Sequence, residues 1–193
     1  MYDTLVYSTI MADPTISKEQ KQCETDCKKY TDEHIATVKK VWEDIKLRYD
    51  CMDRIYSELL DKDQQQKECF ISGVDQQILH HDMSKYSVDE WEFYRRNFNP
   101  VNDEEKENNR ADFEKAWEHH YTNNLHHWNW WALHNKQDKM SLNFVIEMCC
   151  DWIAMSIKFG GDALTWYKSQ KNIILGNHQK KFVEEFLSIY YSK

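Results

Sequence analysis

Four glycines and two prolines in 193 residues leave this chain very few places to turn sharply. Gly and Pro together normally make up about 12% of a soluble protein, and sheet-rich folds depend on them at every hairpin. A chain so poor in both, with long runs of helix-forming residues, is expected to be an all-α, single-domain helical bundle. Its length suits one sizeable core. Eight tryptophans and a 14% aromatic content make that core bulky.

The apolar spacing places the helices. Residues 1–16 read as a tail or short packing arm that ends at Asp13-Pro14, with one domain over residues 17–193. A polar helical stretch begins at Ser17. His34, Val38, Val41 and Ile45 then fall on one helical stripe, so His34 faces the core of a helix expected to run to Leu60. Asp61-Lys62-Asp63 breaks that pattern, and Ser72-Gly73 reads as a turn before a short helix carrying Val74, Ile78 and Leu79. Ser87 with Glu90 fits a capping box that opens a helix over WEFYRRNF, ended by Asn99-Pro100. Phe113, Trp117, His120, Asn124, His127 and Trp131 share a face if the helix there is unbroken. The stretch 140–159 is apolar almost all round, as a central buried helix would be. Gly160-Gly161 closes it, Asp162 caps a short helix, and residues 180–191 form a last amphipathic one.

A net charge of −8 gives no general attraction to nucleic acid or anionic membrane. A small anionic ligand would need local positive charge. The six cysteines form no CxxC pair, and Cys149-Cys150 reads as core packing. No apolar run approaches spanning length, and the start lacks the basic region of a signal peptide, so the expected setting is a reducing cytoplasm. A homo-oligomer is compatible with the composition.

Against this background one series carries chemistry: His34, His81-Asp82, His119-His120, His126-His127 and Asp151. Imidazole and carboxylate donors on separate helical segments suit Mn, Fe, Zn, Ni or Co and argue against thiolate-selected metals. Asp151 lies on a stripe with Phe144, Met148 and Met155, where a charge needs compensation. Glu147, one turn earlier, is a candidate general base or outer partner. Seven residues is nearly two helical turns, so His120 and His127 are paired as inward ligands. That leaves His126 for substrate contact. Lys85 follows His81-Asp82 closely enough to neutralise a phosphate or hold Asp82. Arg95 and Arg96 are candidate phosphate contacts, and a solvated helix face is their plainer reading.

With these residues in view, the chain resembles the HD-domain metal-dependent phosphohydrolase superfamily. HHDMSK is similar to its His-Asp-x-x-Lys form. HDMSKYSVDEWEFYRRNF and AWEHHYTNNLHHWNWW look like the signature blocks of an uncharacterised bacterial and phage domain family. The resemblance covers roughly residues 30–155 and implies metal ligation by His34, His81, Asp82 and Asp151, with His120 and His127 at second-metal positions. The expected activity is hydrolysis of a nucleotide or other small phosphorylated metabolite with one or two divalent ions. Asp82, Lys85 and Glu147 would act at the reacting centre. An oxygen-activating di-iron protein and a non-catalytic nucleotide-sequestering protein are the competing expectations.

Overall fold

The computed structural model describes residues 5–192, which form eleven α-helices and two short 3-10 turns, with no strand among them. The all-α expectation holds. The chain gathers into two compact units. It passes from one unit to the other at Ile35–Ala36, at His81–Asp82 and at Asn124–Leu125.

The first unit takes the N-terminal residues through Ile35 together with Asp82–Asn124. Residues 5–12 of the expected arm are a helix, α1 (Leu5–Ala12), while residues 1–4 lie outside the described chain. Val6, Tyr7 and Ile10 of α1 pack on a small core of Cys27, Ile35, Tyr86 and Trp91. The long α2 (Lys18–Leu47) starts where its polar stretch predicts. Its Glu24 accepts the Trp91 indole N–H at 2.7 Å. A 3-10 turn over Met83–Tyr86 follows Asp82. Helices α5 (Trp91–Phe98), α6 (Asp103–Asn108) and α7 (Arg110–Asn123) complete the unit.

The second unit, Ala36–His81 with Leu125–Lys193, holds the larger core. The helix expected to reach Leu60 stops at Leu47 and restarts as α3 (Tyr49–Ser57). Arg48 between them is extended, and its guanidinium donates to the Ile189 carbonyl at 2.9 Å and to that of Tyr190 at 2.5 Å. The expected turn at Ser72-Gly73 is also absent, because α4 runs unbroken over Gln64–Leu79. Asp63 and Gln66 form a reciprocal capping box at its start. A glycine inside a helix costs about 1 kcal/mol relative to alanine. Burial of Val74 and Ile78 in the core outweighs that cost.

Helix α8 (Trp128–Leu133) is short, and α9 (Leu142–Phe159) is the central buried helix. Gly160 ends α9 in the left-handed region at φ 71°, a conformation that costs glycine nothing. Asp162 caps α10 (Ala163–Ser169) by accepting the Thr165 N–H, and α11 (Asn177–Tyr191) closes the chain. Among the described residues no helix is long and apolar enough to cross a membrane.

Candidate functional site

In the first unit the polar residues converge on Asp82, which is 2% exposed and adopts φ 55°. Left-handed backbone is unfavourable for side chains with a Cβ, and aspartate tolerates it better than most. The 3-10 turn it opens returns Lys85, whose Nζ lies 2.7 Å from Asp82 Oδ2. His34 of α2 places Nε2 3.6 Å from the same oxygen, and His120 of α7 places Nε2 3.3 Å from Oδ1. Both imidazoles are buried, as the helical phase predicts.

Glu90 determines the orientation of His120. Its fully buried carboxylate has Oε2 at 2.7 Å from His120 Nδ1 and Oε1 at 2.7 Å from His119 Nδ1. An ionised carboxylate only accepts, so each Nδ1 carries the proton. His120 Nε2 is thereby aimed at Asp82 Oδ1, 3.3 Å away, where the ring can donate to the carboxylate or, in its neutral form, share a cation with it. Ser87 and Glu90 thus do not form the expected capping box: the Glu90 side chain makes no cap, and Ser87 Oγ has no hydrogen-bond partner among the described residues.

Tyr94, one turn after Glu90, packs against this cluster with its ring tilted 54° to that of His120. Its ring centroid lies 5.5 Å from that of His120 and 5.6 Å from Lys85 Nζ. Burial, with Glu90 and Asp82 close by, pushes the Tyr94 phenol well up, so it stays protonated.

The second unit repeats the device around Glu147 of α9. Glu147 Oε1 lies 2.8 Å from His81 Nδ1 and 3.1 Å from His126 Nδ1, with the two rings 4.5 Å apart. Gln77 of α4 donates to Oε2, and Asn143 Nδ2 holds Gln77 Oε1 at 2.7 Å. Burial alone would raise the Glu147 carboxyl. The charge of His126 and the hydrogen bonds from His126 and His81 outweigh it and lower the pKa to about 2. His81, His126 and Glu147 each offer a ligand atom within 4.8 Å of the others, and all three are buried. An imidazole whose Nδ1–H is fixed by a carboxylate presents Nε2 as a ligand, the usual outer-shell arrangement at protein metal sites. The donors of both units fit a divalent transition metal by type.

Other expected residues are placed differently. The helix expected through the doublets ends at Asn123, and α8 restarts at Trp128. Asn124, the C-cap, donates to the His120 carbonyl at 2.8 Å and to Ser84 Oγ at 2.6 Å. With the phase lost, His126 is the buried member of the second doublet at 1% exposure. His127 is half-buried, its ring 4.2 Å from that of His126. Asp151 is half-buried, and no set of three such donors among the described residues includes it. Arg95 is fully buried and bound to Glu24 at 3.1 Å, Glu92 at 3.0 Å and Glu105 at 2.7 Å. Its guanidinium is therefore a structural hub and not a phosphate contact. Arg96 is the more exposed and pairs with Glu92 at 2.8 Å. Burial pushes the Cys51 thiol up to about 11 and Cys27 to about 12, and Cys149 and Cys150 higher still, which leaves these cysteines as inert core residues.

Sequence reasoning missed Glu90, Gln77 and Tyr94. The Ser-x-x-Glu pattern hid Glu90 behind a helix cap, and no local motif marks the other two.

A family model described as a family of unknown function, DUF5662, matches residues 23–189. No curated protein and no solved structure matches the chain.

Proposed function

We propose that this chain, which belongs to the DUF5662 family, is a metal-dependent phosphohydrolase acting on a nucleotide or other small phosphorylated metabolite. The observation that carries the reading is the repeated device: in each unit a buried glutamate grips two imidazoles by Nδ1. An imidazole fixed at Nδ1 by a carboxylate is oriented as metal-ligating imidazoles usually are.

In the first unit the candidate ligands are His34, Asp82 and His120; in the second, taken by itself, they are His81 and His126 beside Glu147. A bound divalent ion would supply a water of lowered pKa and polarise a phosphoryl oxygen. Lys85, charged and only 15% exposed in its side chain, neutralises Asp82 and stands ready to bind an anionic oxygen. Glu147 accepts from His81, His126 and Gln77, so it acts by positioning those imidazoles and not as the base first expected. Trp117 stacks on His120 at 5.6 Å and limits how that ring can tilt.

Metal analysis of the purified chain, alongside a screen of nucleotides and phosphomonoesters for released phosphate, tests the reading. Co-purified or reconstituted Mn, Fe, Zn, Ni or Co with metal-dependent phosphate release supports it. Iron with oxygen-dependent turnover and no phosphate release would replace it with the oxygen-activating reading. Stoichiometric capture of an unchanged nucleotide would replace it with sequestration.

A further inference from the structure

We propose that Tyr94 donates a hydrogen bond from its hydroxyl to a phosphoryl oxygen of the substrate bound beside Asp82 and Lys85. Tyr94 is 8% exposed, and its hydroxyl oxygen has no hydrogen-bond partner among the described residues. Leaving a buried hydroxyl unmatched costs about 1–3 kcal/mol, so such groups in folded proteins call for an explanation. Its surroundings supply one. The ring lies near both the His120 imidazole and the Lys85 ammonium, and Lys85 Nζ is 2.7 Å from Asp82 Oδ2. Phe98 and Phe113 close on the same ring at 5.9 and 5.2 Å, fixing its plane.

A phenol held rigidly beside one ammonium and one candidate metal ligand has the chemistry that recognises a tetrahedral oxyanion. The ammonium supplies charge, and the hydroxyl supplies a directed donor that water does not compete for. Carbonyl or amide ligands would gain less, because a hydrogen bond to a charged acceptor is about twice as strong as a neutral one. The inference rests on the phosphohydrolase reading and adds to it a specific substrate contact.

The test compares the wild-type chain with Tyr94→Phe, each loaded with Mn, for metal content, melting temperature and calorimetric binding of inorganic phosphate. The expected result is unchanged metal content and a melting temperature equal to or above wild type, since Phe removes an unmatched hydroxyl. Phosphate binding should weaken about ten- to a hundredfold. Equal phosphate affinity in the two proteins overturns the Tyr94 assignment while leaving the phosphohydrolase reading standing. A fall in melting temperature with unchanged affinity overturns it as well, because the hydroxyl would then have a structural partner. A wild type that holds Mn but binds no phosphate overturns the phosphohydrolase reading itself, and Tyr94 with it.

Discussion

His81 and His126 share one oxygen of Glu147, at 2.8 and 3.1 Å, so a single carboxylate orients both rings. Glutamine cannot replace it, because an N–H2 group in place of Oε2 would face the Gln77 N–H2 donor, and the reversed amide would turn that donor on both imidazole N–H groups instead. Glu147→Gln is therefore expected to weaken metal binding about 10- to 100-fold, as loss of an outer-shell partner usually does. Competition against a chromophoric chelator measures this, and wild-type affinity in the variant would remove Glu147 from the site.

The same residue predicts an acid dependence. Its folded pKa of about 2 lies below the ordinary 4.5, so the folded chain gives up that proton more readily than the unfolded one. The stabilisation is fully present above about 4.5 and is lost as pH falls toward about 2. In metal-free protein, the stability gap between wild type and Glu147→Gln should shrink on acidification through that window. A gap that stays constant from neutral pH downward would contradict this account.

Asp82 combines a chemical and a backbone role, and three substitutions separate them. Asp82→Ala, Asp82→Asn and Asp82→Gly should all lose most bound metal. Alanine at φ 55° should cost about 1 kcal/mol more than glycine, because its Cβ crowds the carbonyl in left-handed backbone. Metal content with thermal unfolding checks both parts. Equal stability of the Ala and Gly variants would mean that the turn readjusts.

For the histidine doublets, burial replaces helical phase as the guide. His120→Ala and His126→Ala should reduce metal loading more than His119→Ala and His127→Ala, as read by bound metal per chain. A larger effect at His127 than at His126 would restore the unbroken-helix reading.

Much of the fold was legible in the sequence. Glycine and proline scarcity, with apolar stripes, led to an all-helical chain, an inward His34 and a central helix over 140–159. What was not legible depends on tertiary contacts. The break at Arg48 is stabilised by carbonyls some 140 residues away, beyond any local pattern. The run through Gly73 follows from core burial of its neighbours. The Asn124 break rotated the second doublet, and Asp151 drew attention by its apolar stripe although Glu147 holds the imidazoles. Arg95 looked like a phosphate contact only because sequence does not display its three carboxylate partners.

That last residue gives a stability prediction. Arg95→Met leaves Glu24, whose carboxyl burial already pushes up, without its guanidinium. Removing one partner of a buried ion pair typically costs about 3–5 kcal/mol. Denaturant unfolding should show a loss of that order. A stable Arg95→Met chain that has lost phosphate binding would instead return this arginine to the substrate.

Chelation provides a further test. If metal binds only the folded chain, removing it should lower the melting temperature. Asp151→Asn should retain that chelator response, whereas the His81→Ala, His126→Ala double variant should lose it. The reverse ranking would place Asp151 among the ligands.

Three passages of the backbone from one unit to the other have a consequence for biosynthesis. Neither unit is a continuous stretch, so neither is complete when its first segment leaves the ribosome. The N-terminal helices must wait for residues through Asn124, and residues 36–81 must wait for the C-terminal third of the chain. Apolar faces such as that of Val38, Val41 and Ile45 are therefore made well before their core partners on α9 and α11. Nascent chains truncated before the last helix should be strong clients of general chaperones, and no cut at a single boundary should release an autonomously folding half.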